Sequence, residues 1–523
     1  MKTFDYVIVG SGSAGSVLAA RLSEDRATRV CLIEAGGPAT GLAVKIPAAF
    51  PQLLKSERDW AFYSDPEPGM EGRRLYMPRA KMLGGCSSMN AMLYVRGNWV
   101  DYDGWVKHGA PGWSYADVLP YFRRSEDFER GEDTYHGAGG PLHVSDARSR
   151  NGLTETIVEA AQQSGLPFNL DYNGAQQEGV SYLQTTTHRG QRWSAVDAWL
   201  RPAQRRTNLT VLTHSHAQRI VVEGGRAVGV EIIRDGAREI ITAEAEVILS
   251  AGAIGTPQLL MLSGIGDADH LRQHDIDVVV DNSNVGEHLQ DHPFYLVNFE
   301  TTAKGTLAEA EHPRQLLNFF TRGRGMLTST IAEATAFLHS REGLPAPDLQ
   351  LHMGPVYFHD HGFDTHDKPA YVVGVTLVAP ESRGRVRLRS ADPAASPSIV
   401  GNHLSEPADL EAMMVGVDKA RQIAAQAPLA GLTTAELHPG RTLHGDALRR
   451  ELRRDTELIY HPTSTARMGS ADDSVVDPEL RVHGVAGLRV VDASVFPSVT
   501  RGNTNAPTYM VAERAADLIR TAG

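Results

Sequence analysis

The sequence predicts an α/β protein: a mainly parallel sheet carrying an inserted β-meander, joined to a second unit of mainly antiparallel sheet and helices. Three observations carry that prediction. In Asp5–Gly37 a short apolar run, a glycine turn, a small-residue helix and a second apolar run follow one another. Residues 209–250 switch to apolar runs separated by Gly224-Gly225 and Asp235-Gly236, dipeptides that favour tight hairpin turns. Later runs, such as Arg385-Val386-Arg387-Leu388-Arg389, alternate with period two, as a strand with one wet face does.

The first element is read most closely. Tyr6-Val7-Ile8-Val9 suits a strand buried on both faces, and the glycines follow as Gly10-x-Gly12-x-x-Gly15. Gly10 permits the tight turn, Gly12 lets backbone approach a pyrophosphate, and Gly15 lets the following helix sit close to the sheet. The N-terminus of that helix, at Ser13 and Ala14, faces the phosphate charge. Val30-Cys31-Leu32-Ile33 is the second strand and ends at Glu34-Ala35, nineteen residues beyond Gly15, where a carboxylate can take a ribose diol. This is the dinucleotide-binding Rossmann unit. It does not separate FAD from NAD.

The totals bound the rest. At 523 residues the chain exceeds one simple core, so two domains are expected. A net charge of −12 argues against nucleic-acid binding. The two cysteines, Cys31 and Cys86, lack metal-ligand spacing, which disfavours a disulfide framework or zinc site and fits a reducing compartment. The chain enters its first strand at once and has no run near the ~18 apolar residues of a membrane span. A cytoplasmic protein is expected, with peripheral membrane contact left open.

After Glu34 comes a Gly/Pro-rich stretch and then Gly84-Gly85-Cys86-Ser87-Ser88-Met89-Asn90-Ala91-Met92-Leu93-Tyr94-Val95-Arg96-Gly97. This run resembles the first signature of the glucose-methanol-choline (GMC) oxidoreductase family. There the loop lies along the FAD, which places Gly84, Gly85, Ser87, Asn90 and Ala91 against the cofactor. Some members attach FAD through a histidine where this chain has Met89. The resemblance therefore implies non-covalent FAD.

Residues 101–150 read as helical segments anchored by Trp105 and Trp113, and 151–165 as an amphipathic helix. The meander then returns to the strand Glu246–Ser250 and the run Ala251–Gly266. A meander inserted in a dinucleotide fold favours FAD by fold analogy. GAIGTPQLLMLSGIG is similar to the second GMC signature, and implies a cofactor contact at Ala251. Val285–His292 is close to the family's VGxNLQDH element, with His288 where Asn is usual. His288 and His292, four apart, would share a helical face, but no third ligand is evident and no metal is expected. Strands of a second sheet are expected near 348–353, 371–378 and 385–389, and clustered histidines and aromatics at 356–363 read as a polar loop, with the mouth of a pocket as the alternative. Glu333 matches a position where choline-oxidising members keep a carboxylate, and other alcohol-oxidising members do too. It is taken as a substrate-binding candidate.

The C-terminal part carries the chemistry. Tyr460-His461-Pro462 opens one block, Val490-Val491-Asp492-Ala493 ends a strand, and Gly502-Asn503-Thr504-Asn505-Ala506-Pro507 starts a helix. Alcohol oxidation needs a base for the hydroxyl proton, a polar group fixing the alkoxide, and positive potential for charge developing on the flavin. A histidine titrates in the right range to be that base. YHPTSTARMG, VVDASVFP and GNTNAPTYMVAERAA together resemble the C-terminal block of GMC alcohol oxidoreductases. The resemblance maps the catalytic pair onto His461 and Asn505, with Tyr460 at the substrate and Asp492, Ala493, Asn505 and Ala506 at the flavin.

The implied architecture is a discontinuous FAD-binding domain (1–155, 203–293 and 459–523) and a substrate-binding domain (156–202 and 294–458) in the GMC fold. The implied activity is FAD-dependent oxidation of a CH–OH group, a primary alcohol giving its aldehyde, with hydride passing to flavin N5. YVRG and LRSADP are similar to bacterial choline-, sorbose- and alcohol-dehydrogenase-like members, which makes a quinone-type acceptor the first expectation. An O2-using oxidase releasing hydrogen peroxide is the alternative, and a flavin-containing hydroxynitrile lyase a further one. The partners expected are thus a small-molecule alcohol and an electron acceptor.

Overall fold

The computed structural model describes residues 2–522. β1 (Lys2–Val9), α1 (Ser13–Leu22) and β2 (Val30–Ile33) form the expected unit, with every residue of β2 buried. A Cβ on Gly15 would fall 1.9 Å from the Gly10 carbonyl oxygen, so α1 approaches the sheet only because that position is glycine. Alanines 14, 19 and 20 and Ser16 are buried on the same helix.

A seven-stranded sheet grows from this unit in the order Leu209–Leu212, β2, β1, Ala237–Leu249, Arg226–Arg234, Ser215–Glu223, with Leu488–Val490 also paired to Ala237–Leu249. The first four are mutually parallel, as is Leu488–Val490, while the meander strands are antiparallel. The hairpin dipeptides turn where the sequence places them, with Gly224, Gly225, Asp235 and Gly236 all at positive φ.

The second sheet also has seven strands. Thr433–His438, Pro293–Thr301, Ala370–Leu377, Leu349–Gly354, Ala334–Leu338 and Gly179–Tyr182 run antiparallel in that order, and Glu457–Leu458 pairs with the start of Pro293–Thr301. Helices Gly152–Gln163 and Pro407–Ala424 share its core through Ile157, Val158, Met413 and Val417. The two cores exchange segments over 150–200: Leu153 to Ala161 pack in the second, whereas Val196 to Leu200 pack in the first.

The chain closes on the helix Asn505–Ala522, which packs along α1. The Arg21 Nε donates to Glu513 Oε2 at 2.9 Å, and Trp199 Nε1 donates to Glu513 Oε1 at 3.0 Å. Glu513 is fully buried, so these partners are what makes its charge tolerable there.

Candidate active site

Register decides where the site lies. Val9 pairs with Ile33 and with Leu249, and Leu249 with Val490, so four parallel strands end level. Gly10, Glu34, Ser250 and the residues leading to Asp492 therefore emerge along one edge, the crevice where open α/β sheets bind ligands. A continuous cavity follows this edge and reaches the second sheet at Phe294, His352 and Val372.

The end at Gly10 and Glu34 is built from backbone and buried carboxylates. Glu34 Oε2 accepts the Ser11 N–H at 3.0 Å and the Ser11 hydroxyl at 2.7 Å, and Oε1 accepts the Gly36 N–H at 2.8 Å. Burial pushes its pKa up, against those hydrogen bonds. No side chain caps α1, so its first N–H groups remain for an anion. A Cβ on Gly12 would meet nothing nearer than Ser250 O at 4.0 Å, so the missing side chain leaves space directly over that helix end. Asp492 accepts from Gly252 N (2.8 Å), the Thr256 hydroxyl (2.6 Å) and Ser494 N (2.8 Å), which clamps the last strand to the helix Gly252–Leu262. An elongated cradle with an open glycine, free helix donors and a diol-competent carboxylate fits FAD.

At the other end the two sheets deliver a histidine pair. Pro293 pairs with Leu458 and Ile459 N donates to His292 O at 3.1 Å, so His292 and His461 are brought side by side. Their Nδ1 atoms lie 3.0 Å apart, which requires one proton between them. Asn503 Nδ2 stands 3.2 Å from His461 Nε2. With Asn503 donating, His461 carries its proton on Nδ1, hydrogen-bonds it to His292 Nδ1, and holds its Nε2 lone pair at the cavity wall, where Asn503 occupies it until another donor enters. Asp291 Oδ1 accepts the backbone N–H groups of both His461 (2.6 Å) and His292 (2.8 Å). Burial holds the His461 pKa well below its ordinary value, helped by the neighbouring histidines and Arg79. The imidazole is thus kept neutral.

The cavity wall includes Gly10, Gly12, Ser13, Ala14, Glu34 and Ala35 from the first unit. Gly85, Asn90 and Ala91 line it further along, as do Ala251, Asp492, Ala493, Asn505, Tyr460 and His461. Gly15, Gly84, Ser87 and Ala506 lie behind it. Gly15 meets Gly10, Gly84 makes a left-handed turn at φ +82°, Ser87 donates to Gly84 O at 2.7 Å, and Ala506 is buried in its helix.

Three expectations differ from the structure. Asn505 begins the C-terminal helix and its Nδ2 donates to the Ser13 hydroxyl at 2.7 Å, which turns it toward the start of α1. Asn503, two residues earlier in the loop, is the residue that meets His461. Glu333 is buried away from the cavity, accepting the Thr154 hydroxyl at 2.7 Å and the Asn151 N–H at 3.2 Å. Residues 287–289 form a strand, with His288 at φ +63°, so no helical face joins His288 to His292. Asp291, His292 and Asn503 had a signal in the QDH and GNTN runs, but spacing alone does not show which polar group reaches His461.

The N-terminal GMC oxidoreductase family model matches residues 4–294 and the C-terminal one residues 380–512. The chain is 47% identical to an uncharacterized GMC-type oxidoreductase of Mycobacterium tuberculosis, covering 99% of each. It is 45% identical to an oxygen-dependent choline dehydrogenase of Sinorhizobium fredii, over 98% of this chain and 95% of that one. Among solved structures it resembles pyridoxine 4-oxidase from Mesorbium loti, with a TM-score of 0.91, 31% identity and 98% of both chains covered. The chain belongs to the GMC oxidoreductase family and is an FAD-dependent oxidoreductase of CH–OH donors.

Proposed function

We propose that this enzyme oxidises a primary alcohol to its aldehyde, with His461 as general base and Asn503 as the group that fixes the substrate oxygen. The observation that carries this is the Asn503 Nδ2–His461 Nε2 contact at the cavity wall. A hydroxyl entering there can give its proton to Nε2 while the Asn503 N–H stabilises the alkoxide left behind. Proton removal makes the carbinol C–H hydridic. FAD, when bound, supplies the hydride acceptor. After the transfer His461 bears a second proton, and its Nδ1–H···Nδ1 bond to His292 holds the ring in place. Gly10, Gly12, Ser13, Glu34 and Asn505 would hold the cofactor, with Met89 offering no ring nitrogen for a histidyl link.

The substrate end is apolar, formed by Phe294, Leu296, Val372, Phe358 and Ile459. Among the described lining residues the carboxylates are Glu34 and Asp492, both held by backbone N–H groups along the first sheet. A quaternary ammonium head would find no counter-charge at the apolar end and would meet the Arg79 cation. An uncharged alcohol with an apolar body fits better than choline. A quinone-type acceptor is our first reading. The relatives named oxygen-dependent choline dehydrogenase and pyridoxine 4-oxidase favour O2 as the second. Air admitted to alcohol-reduced enzyme tests this: reoxidation within seconds means an oxidase, and slow reoxidation that a soluble quinone accelerates means a dehydrogenase.

A further inference from the structure

We infer that Asp360, His361 and Glu457 form a binding site for one divalent cation of the zinc or manganese type, beside the catalytic cavity but outside it. One ligand atom from each of the three lies within 4.8 Å of the others. His361 and Glu457 are buried, and Asp360 is exposed, which gives the cluster a floor and an entrance.

The second observation is an orphaned carboxylate oxygen. Glu457 is 7% exposed and its Oε2 has no hydrogen-bond partner. That atom lies 3.3 Å from His361 Nδ1. The same Nδ1 receives the Tyr460 hydroxyl at 2.5 Å. With the Tyr460 phenol assigned as the donor, Nδ1 presents its lone pair, and it and Glu457 Oε2 lie 3.3 Å apart as two acceptors. A buried acceptor without a partner is costly, and a cation shared by both removes that cost. Ligands about 2.1 Å from a metal ion are separated by about this distance. Two carboxylates and one imidazole suit a borderline divalent ion, with water completing its shell.

The neighbouring cluster of His359, His438 and Asp455 is different. His359 there bonds Asp455 (3.1 Å) and Asp364 (3.2 Å), so its polar atoms are already matched without a metal. The two clusters share the loop 359–361 and the segment 455–457, which makes the assignment a choice between them.

Binding also has a consequence for the cavity. Tyr460 lines it directly before His461, and an ion taking Nδ1 of His361 releases the Tyr460 hydroxyl. Equilibrium dialysis of the FAD-loaded enzyme against micromolar Zn2+ at pH 7.5, with metal counted by mass spectrometry, tests the site. Flavin absorbance and Tm check that each variant is folded. The wild type should hold one ion per chain, with E457Q and H361Q each weakening binding at least tenfold and H438Q leaving it unchanged. Should H438Q abolish binding while E457Q retains it, or should wild type and E457Q bind alike, the assignment is overturned. Absence of a stoichiometric ion in the wild type overturns it equally.

Discussion

Replacing Asn503 and Asn505 by alanine in turn separates the geometry from the sequence pattern most sharply. Asn503 Nδ2 reaches His461 Nε2 at 3.2 Å, so it is placed to donate to the oxygen whose proton Nε2 removes. Loss of one preorganised donor to a developing oxyanion costs about 3 to 4 kcal/mol, roughly 10²–10³ in rate. Asn505 instead makes a neutral hydrogen bond to the Ser13 hydroxyl at 2.7 Å. A bond of that kind is worth about 0.5–1.5 kcal/mol, a factor of roughly ten at most, and its loss should appear as weaker FAD retention. The assay is anaerobic stopped-flow reduction of the bound flavin by a saturating primary alcohol, with FAD content measured on the same samples. N503A should keep its flavin and reduce it 10²–10³-fold more slowly, while N505A should stay within about tenfold of wild type and shed FAD more easily. The reverse ranking would refute the assignment of Asn503.

His461→Ala should lower reduction by about 10²–10⁴-fold with flavin retained. Because burial lowers the His461 pKa, its neutral, active form persists as pH falls through the ordinary histidine value, and kcat/KM should not lose activity between pH 8 and about 6.5. An acid limb centred at or above 6.5 would contradict that. Asp291→Ala strips the acceptor from two buried N–H groups and should cost about 2–6 kcal/mol in urea unfolding, whereas Asp291→Asn keeps an Oδ1 acceptor and should cost far less. Gly15→Ala forces a Cβ to within 1.9 Å of Gly10 O and should abolish soluble FAD-loaded protein, while Gly12→Ala should leave Tm of the apoprotein near wild type and weaken FAD titration. Choline should reduce the flavin at least tenfold less efficiently than an uncharged alcohol of similar size, judged by rate per concentration.

The fold was legible where local chemistry dictates it. Gly10, Gly12 and Gly15 allow one βα turn, and period-two runs with Gly-Gly and Asp-Gly turns make the meander. The glycine-lined end of the cavity is legible for the same reason, because it is assembled mainly from backbone and from residues at strand ends that register brings level. The end at His461 depends on tertiary placement. Asn503 and Asn505 are two residues apart in one motif, and only the start of the C-terminal helix decides which turns to His461 and which to Ser13. Glu333 shows the same limit: a carboxylate beside cavity residues in sequence points to Thr154 and Asn151 in space. The segment swap over 150–200 was hidden because both halves are amphipathic or aromatic enough to suit either core.

The central claim is a reductive half-reaction with an alcohol at the cavity where His461 and Asn503 meet. Its most direct test is an anaerobic absorbance titration of the purified, flavin-loaded protein with a panel of uncharged primary alcohols. Bleaching of the flavin band, with aldehyde formed in equal amount, is the result predicted. A bound flavin that no alcohol bleaches would contradict the account.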